Sequence, residues 1–307
     1  MRNAYLAALY ELAKTHENVM ALISDNGAIV YDKFRADFPD QYTNCGISEA
    51  NMIGMSAGLA SCGKIPFAYT ISNFLVYRAY EQIRNDVCLQ KMNVKMVGVG
   101  VGFVYSNLGP THHGTEDIAV MRCLPNITIF SPADPRETKK VTMAAAAIQG
   151  PVYIRLATSG SPAVYKKDYD FLAGRAVEIM PGRDAAVFST GSSVYEVLQA
   201  CKQLKKEGIS ARLINLHTLK PIDREVIAKA ARETGRILVV EEQNIHGGLA
   251  SAIGEVLLEQ GVGEVKFRGL GLKDTFTEGY GSYEDLKEMN GLSQAHIVAA
   301  VKDMVRN

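Results

Sequence analysis

The sequence predicts an α/β protein of two consecutive domains, each built on a mostly parallel sheet. Three observations carry this. Short apolar, β-branched runs alternate with helical patterns along nearly the whole chain. One stretch, TSGSPAVYKKDYDFLAG at residues 158–174, breaks that rhythm with Gly, Pro, Ser and charge, and reads as a linker. At 307 residues and 47% hydrophobic content, the chain has material for two cores. The expected division is residues 1–158, a linker over 159–176, and residues 177–307.

Taken in order, residues 2–15 form an amphipathic helical pattern, and 19–24 (VMALIS) a continuous apolar run of buried-strand type. Ser48 is a good N-cap for a small-residue helix over 49–62, followed by a strand over 65–70 and a helix over 73–90. KMVGVGV at 95–101 reads as a strand, 103–114 as a long Gly-containing loop, and 116–123 as a helix. Residues 127–130, 135–149 and 152–155 supply strand, helix and strand. Beyond the linker, strands are expected at 185–189, 211–216, 236–241 and 265–268, with helices at 194–206, 223–233, 248–259 and 293–305. Ligands of such sheets gather beyond the strand C-terminal ends, which is where Asp25, Phe74 and the 103–114 loop fall. The turns Thr190-Gly191-Ser192 and His246-Gly247-Gly248 are either phosphate cradles at helix N-termini or simply tight connections.

Composition excludes several classes. Formal net charge is zero and no Lys/Arg run stands out, so nothing points to nucleic acid or an anionic membrane surface. Five cysteines without CxxC spacing fit reduced thiols in a cytoplasmic protein better than disulfides or a metal site. The opening MRNAYLAALYELAKTHENV lacks a signal-peptide cleavage pattern, and no charge-free apolar run is long enough for a membrane span.

Residues 44–90 draw most attention. After Glu49 the helix carries no other charge until Lys64, and Gly54, Ser56, Ala57, Gly58 and Ala60 allow close packing, so it reads as buried. Burying a carboxylate is costly unless it is paired, hydrogen-bonded or protonated. Glu49 therefore either caps its own helix or serves a function. Phe74, Tyr77, Tyr80 and Ile83 recur at helical spacing, as a core stripe or as the wall of a site.

GISEANMIGMSAGLA, PFAYTISNFLVYRAYEQIR, LGPTHHGTEDIAVMRCLPNITIFSPAD and VYIRLATSG, in that order, resemble the pyrimidine-binding domain of transketolase. STGSSVYEVLQA, LINLHTLKPID and VVEEQNIHGGLASAIGEVL resemble the C-terminal domain shared by transketolase, deoxyxylulose-phosphate synthase and 2-oxo-acid dehydrogenase β subunits. The resemblance implies thiamine diphosphate as cofactor. In that family the residue matching Glu49 hydrogen-bonds N1′ of the cofactor's aminopyrimidine and activates it, and Phe74 matches the ring stacked on the pyrimidine. Ile71 and Tyr77 match walls of the same slot, and Asp25 a carboxylate near cofactor and substrate. His112 matches the donor-contacting histidine, and Arg155 and Arg2 fall on positions that hold the substrate's phosphate. Three departures stand out: Leu108 replaces an Asp, Gly100 a His, and Ile29 a Ser.

The family binds the diphosphate through Mg²⁺ held by a GDG…N segment in another domain, and this sequence contains no GDG. The resemblance therefore implies a split enzyme, in which an N-terminal subunit supplies the diphosphate and Mg²⁺ half and two copies of each chain assemble about a two-fold axis. The implied reaction is two-carbon ketol transfer from an anionic ketose to an aldose. The sugar stays open among pentose phosphates, branched-sugar phosphates and sulfosugars. A 2-oxo-acid dehydrogenase β subunit or a deoxyxylulose-phosphate-synthase-like enzyme is the rival reading, and a non-catalytic regulatory subunit the third.

Overall fold

The computed structural model describes residues 1–157 and 160–306. The first half contributes β1 (Val19–Ile23), β2 (Tyr42–Asn44), β3 (Ile65–Ile71), β4 (Lys95–Val99), β5 (Thr128–Phe130) and β6 (Val152–Leu156). The second contributes β7 (Val177–Met180), β8 (Ala185–Ser189), β9 (Ala211–Asn215), β10 (Thr218–Lys220), β11 (Arg236–Asn244) and β12 (Lys266–Leu272). One sheet runs β10-β5-β6-β4-β3-β1-β2 and the other β12-β11-β8-β9-β7. Pairing is parallel except where β10 meets β5 and β7 meets β9, both at sheet edges. Strands β1, β4, β6 and β8 are buried end to end, as continuous apolar runs in a sheet covered on both faces must be.

The structure departs from the sequence expectations in two places that matter for the site. First, β10 follows β9 in the chain but pairs antiparallel with β5 of the first sheet, so the expected division at the linker is crossed by a strand. Its three residues carry no alternation to read, and Lys220 fixes it by donating to the carbonyl of Arg122 at 2.9 Å. One apolar cluster runs from Ile53 and Leu75 through Ile118 and Leu219 to Phe188 and Ile253, so the two sheets share a core. Of the expected linker, Thr158 and Ser159 lie outside the described residues.

Second, the single helix expected over 73–90 is three pieces: Ser72–Arg78, the short turn Tyr80–Gln82, and a π-helical Ile83–Leu89. Leu75, Ala79, Ile83 and Val87 form a buried row spaced by four, with Val76 and Cys88 buried beside it. A strict α-helix would rotate such a stripe off the core, and the wider π-turn keeps it facing inward. Phe74 and Tyr77 are thereby left outside the core, on the site side.

Buried His217 accounts for one pH effect. Its Nδ1 is 2.8 Å from Thr218 Oγ1 and its ring lies 4.5 Å from that of Phe171. Burial lowers its pKa to about 4, against about 6.5 in an unfolded chain. Between those values the unfolded chain binds the extra proton, so the stability of the neutral ring is present above the upper value and lost as pH falls toward the lower. His217→Gln should flatten the fall in melting temperature across that acid window by the equivalent of up to one proton. Among the described residues all five cysteines are free, and no helix is long and apolar enough to cross a membrane.

Candidate active site

The site forms where β1, β3 and β4 end. The turn before Glu49 is tied to β1, because Cys45 N–H donates to Ile23 O at 2.8 Å and Ser24 Oγ to Gly46 O at 2.9 Å. Ser48 stands at the N-cap of the helix Glu49–Ser61, as expected, but its hydroxyl makes no capping bond and donates to Cys45 O at 2.7 Å. Glu49 is 3% exposed, and its carboxylate reaches across to Arg78, whose Nη1 donates to Oε2 at 3.0 Å. The carboxylate thus meets a cation across the pocket, the pairing its burial requires.

From Glu49 a row of side chains crosses the strand ends. The Arg78 guanidinium carbon lies 4.0 Å over the centre of the Phe74 ring. His112 stands edge-on to Phe74 at 5.1 Å between centroids, and Tyr105 edge-on to His112 at 6.1 Å. Beyond Tyr105, Arg2 places its positive charge beside Tyr69 and Tyr105. Burial raises the pKa of Tyr105, with Arg2 opposing that rise. Glu49, Phe74, His112 and Arg2 are therefore brought to one side of the sheet in the order buried carboxylate, aromatic ring, loop histidine, cation. Ile71 ends β3 at the base of the same helix and is nearly buried. Tyr77 is 42% exposed and donates to Glu116 Oε2 at 3.2 Å, so it braces the segment after the loop. Asp25, in left-handed backbone at φ 55°, is exposed and accepts from Asn44 Nδ2 at 3.2 Å.

Arg155 requires a correction. Read as a ligand for the substrate's phosphate, it is instead 4% exposed behind the site. Its Nε and Nη2 donate to Asp117 at 2.7 and 3.1 Å, its Nη1 to Ser131 Oγ at 3.2 Å, and its Nη2 also to Gly114 O at 3.3 Å. A guanidinium paired so fully inside the protein has no face to offer a sugar phosphate. It anchors Gly114, at the end of the loop that carries His112.

That loop is held from several sides. Asn73 Nδ2 donates to His113 O at 2.8 Å and to Thr111 O at 3.3 Å. His113 turns inward, with Nδ1 2.6 Å from Thr277 Oγ1 of the second half, and burial lowers its pKa. The second half adds Glu242 and Gln243 of β11, while their neighbour Glu241 holds the helix that follows. Glu241 accepts from Leu249 N and Ala250 N at 2.6 and 2.8 Å, and its burial lifts the pKa to about 7. Glu242 accepts from Phe103 N at 3.3 Å, and Gln243 donates to Gly114 O and Asp117 Oδ1, both at 2.8 Å. Neither Gly-rich turn is a phosphate cradle. The helix N-terminus after His246-Gly247-Gly248 is filled by the Glu241 carboxylate, and Gly191 packs against Ser131 of the first half.

Two of the three departures are exposed, Ile29 at 83% and Leu108 at 47%. At Gly100 a Cβ would lie 2.0 Å from Tyr105 Cε2, so Tyr105 occupies the room that a side chain at 100 would need. Sequence reasoning missed Tyr105, Asn73 and Arg78. Asn73 sits inside the ISNF segment and was open to detection there, as was Arg78 one helical turn after Phe74, whereas Tyr105 carries no local signal.

Fold and site together describe one α/β domain joined to a second through the loop that carries His112. Residues 1–162 match the transketolase pyrimidine-binding domain, and residues 174–297 match the transketolase C-terminal domain. The chain belongs to the transketolase family. It is 38% identical over 275 residues to a subunit of the apulose-4-phosphate transketolase of Phocaeicola vulgatus, covering 89% of this chain and 87% of that one. It is 35% identical over 305 residues to a subunit of the 6-deoxy-6-sulfo-D-fructose transketolase of a Clostridium species, covering 99% and 94%. Among solved structures, a split-gene transketolase in an inactive β4 tetramer superimposes with a TM-score of 0.91 at 39% identity, covering 99% of this chain and 98% of that one. A Campylobacter jejuni transketolase shares the fold at 20% identity and a TM-score of 0.78, with 45% of its length covered.

Proposed function

We propose that this chain is the C-terminal subunit of a split transketolase that moves a two-carbon ketol unit from an anionic ketose to an aldose, working with an N-terminal subunit. The observation that carries this is the pairing of buried Glu49 with a planar cation stacked on Phe74. A flat nitrogen heterocycle presenting a ring nitrogen to the carboxyl and a face to the ring meets the same two demands. The residues fit an aminopyrimidine, and thiamine diphosphate, when bound, supplies the electron sink for breaking the carbon–carbon bond beside the ketose carbonyl. Glu49 shares a proton at the ring nitrogen, a task that burial favours because water does not compete for it. Phe74 fixes the ring plane. His112, at the edge of Phe74, contacts the donor's hydroxyl end, and Asp25 lines the near wall with Ile71 and Tyr77. Arg2 meets the far anionic group. Mg²⁺ and the diphosphate belong to the N-terminal subunit in this reading, and two of each chain complete the active assembly.

Calorimetric titration of thiamine diphosphate with Mg²⁺ tests the reading, into this chain alone and into its mixture with an N-terminal subunit, alongside a two-carbon transfer assay. Binding and transfer only in the mixture are expected. Pyruvate decarboxylation in its place would transfer the site to the 2-oxo-acid dehydrogenase or deoxyxylulose-phosphate synthase class, and no binding in any mixture would make the chain a regulatory subunit. Within the active mixture, Arg2→Gln should raise KM for the anionic donor about ten- to a hundredfold with little change in kcat, the loss expected for one charged hydrogen bond made equally in ground and transition states.

A further inference from the structure

The seat assigned to an aminopyrimidine already has a resident. Arg78 closes the helix Ser72–Arg78 one turn after Phe74, the spacing that lays its side chain over that ring. Its guanidinium is flat and delocalised, stacks on one aromatic face at 4.0 Å, and donates to Glu49 Oε2 at 3.0 Å. An aminopyrimidine uses the same ring face and the same carboxyl. Ring face and carboxyl can each serve one partner at a time, so the two occupants exclude each other. Their freedom differs greatly: the Glu49 side chain is 2% exposed and the Arg78 side chain 48%, so the guanidinium can leave for solvent while the carboxylate cannot.

We propose that Arg78 is an internal occupant of the pyrimidine seat, which keeps Glu49 paired while the seat is empty and which thiamine diphosphate must displace. This rests on the functional reading above. A resident that must leave lowers the fraction of binding-competent sites and weakens the apparent affinity by that fraction. One half-exposed ion pair and one half-exposed cation–π contact together correspond to roughly a tenfold effect.

The test is calorimetric titration of thiamine diphosphate with Mg²⁺ into the assembled complex carrying wild-type, Arg78→Met or Arg78→Lys chains, with melting of each isolated chain alongside. Arg78→Met should bind about tenfold more tightly than wild type, and Arg78→Lys, which keeps the charge but loses the plane, should fall between. The isolated Arg78→Met chain should melt a few degrees lower, since Glu49 is then buried without its cation. Equal or weaker binding by Arg78→Met, in a complex whose wild type binds, overturns the proposal while leaving the transketolase reading intact. An unchanged melting temperature also overturns it. Absence of binding by the wild-type complex overturns the transketolase reading itself, and with it the displacement.

Discussion

Glu49→Gln, in a complex with the N-terminal subunit, should lower kcat for two-carbon transfer by about 10²- to 10⁴-fold, the range for losing a positioned proton donor and acceptor. Glutamine matches the shape of glutamate, and its amide oxygen still accepts the Arg78 donor that now sits at 3.0 Å. What it cannot do is hold a proton toward a ring nitrogen. The fold should survive, because Arg78 is half-exposed and regains water when its partner is neutralised. Cofactor binding should change far less than turnover, since most of that affinity comes from the diphosphate. Glu49→Asp should also be impaired, as the carboxylate is withdrawn by one methylene from a site with no room to follow it. Transfer by Glu49→Gln within tenfold of wild type would remove Glu49 from the chemistry.

How much of this was legible in the sequence depended on distance along the chain. Glu49 could be singled out because its neighbours announce it: one charge at the head of a helix otherwise made of small and apolar residues, over 49–61 in the structure. The strand ends that hold the site were legible for the same local reason. Partners were not. Arg78 lies one helical turn after Phe74, but nothing in the sequence ties it to the carboxylate it meets, 29 residues away. Tyr105 reads as a loop aromatic, and only the fold shows that the missing side chain at Gly100 makes room for it. Arg155 went wrong in an instructive way. Its assignment to the substrate's phosphate rested on the family resemblance, but its counterion Asp117 is 38 residues earlier on another element, and a motif match names no partner.

Asp117→Ala should be the most destabilising of these changes, and it separates the two readings of Arg155. Asp117 is fully buried and accepts four hydrogen bonds: two from Arg155, one from Tyr153 Oη at 2.6 Å and one from Gln243 Nε2 at 2.8 Å. Tyr153 in turn bonds Ser72 Oγ at 3.0 Å, at the head of the helix that carries Phe74. Removing the carboxylate strands a guanidinium in the core, a loss of about 3–5 kcal/mol, and leaves two further donors without an acceptor. For a chain of this size that corresponds to a melting temperature lower by about 5–8 °C. Arg155→Met should cost a similar amount, because it strands the carboxylate instead. The pair Asp117→Leu with Arg155→Met should cost much less than the sum, since two apolar side chains need no counterion. Were Arg155 a phosphate ligand, Arg155→Met would raise KM for the anionic donor and leave the melting temperature in place. The buried bonds to Asp117, Ser131 and Gly114 lead to the opposite ordering, with stability lost first and turnover falling only as the His112 loop loosens.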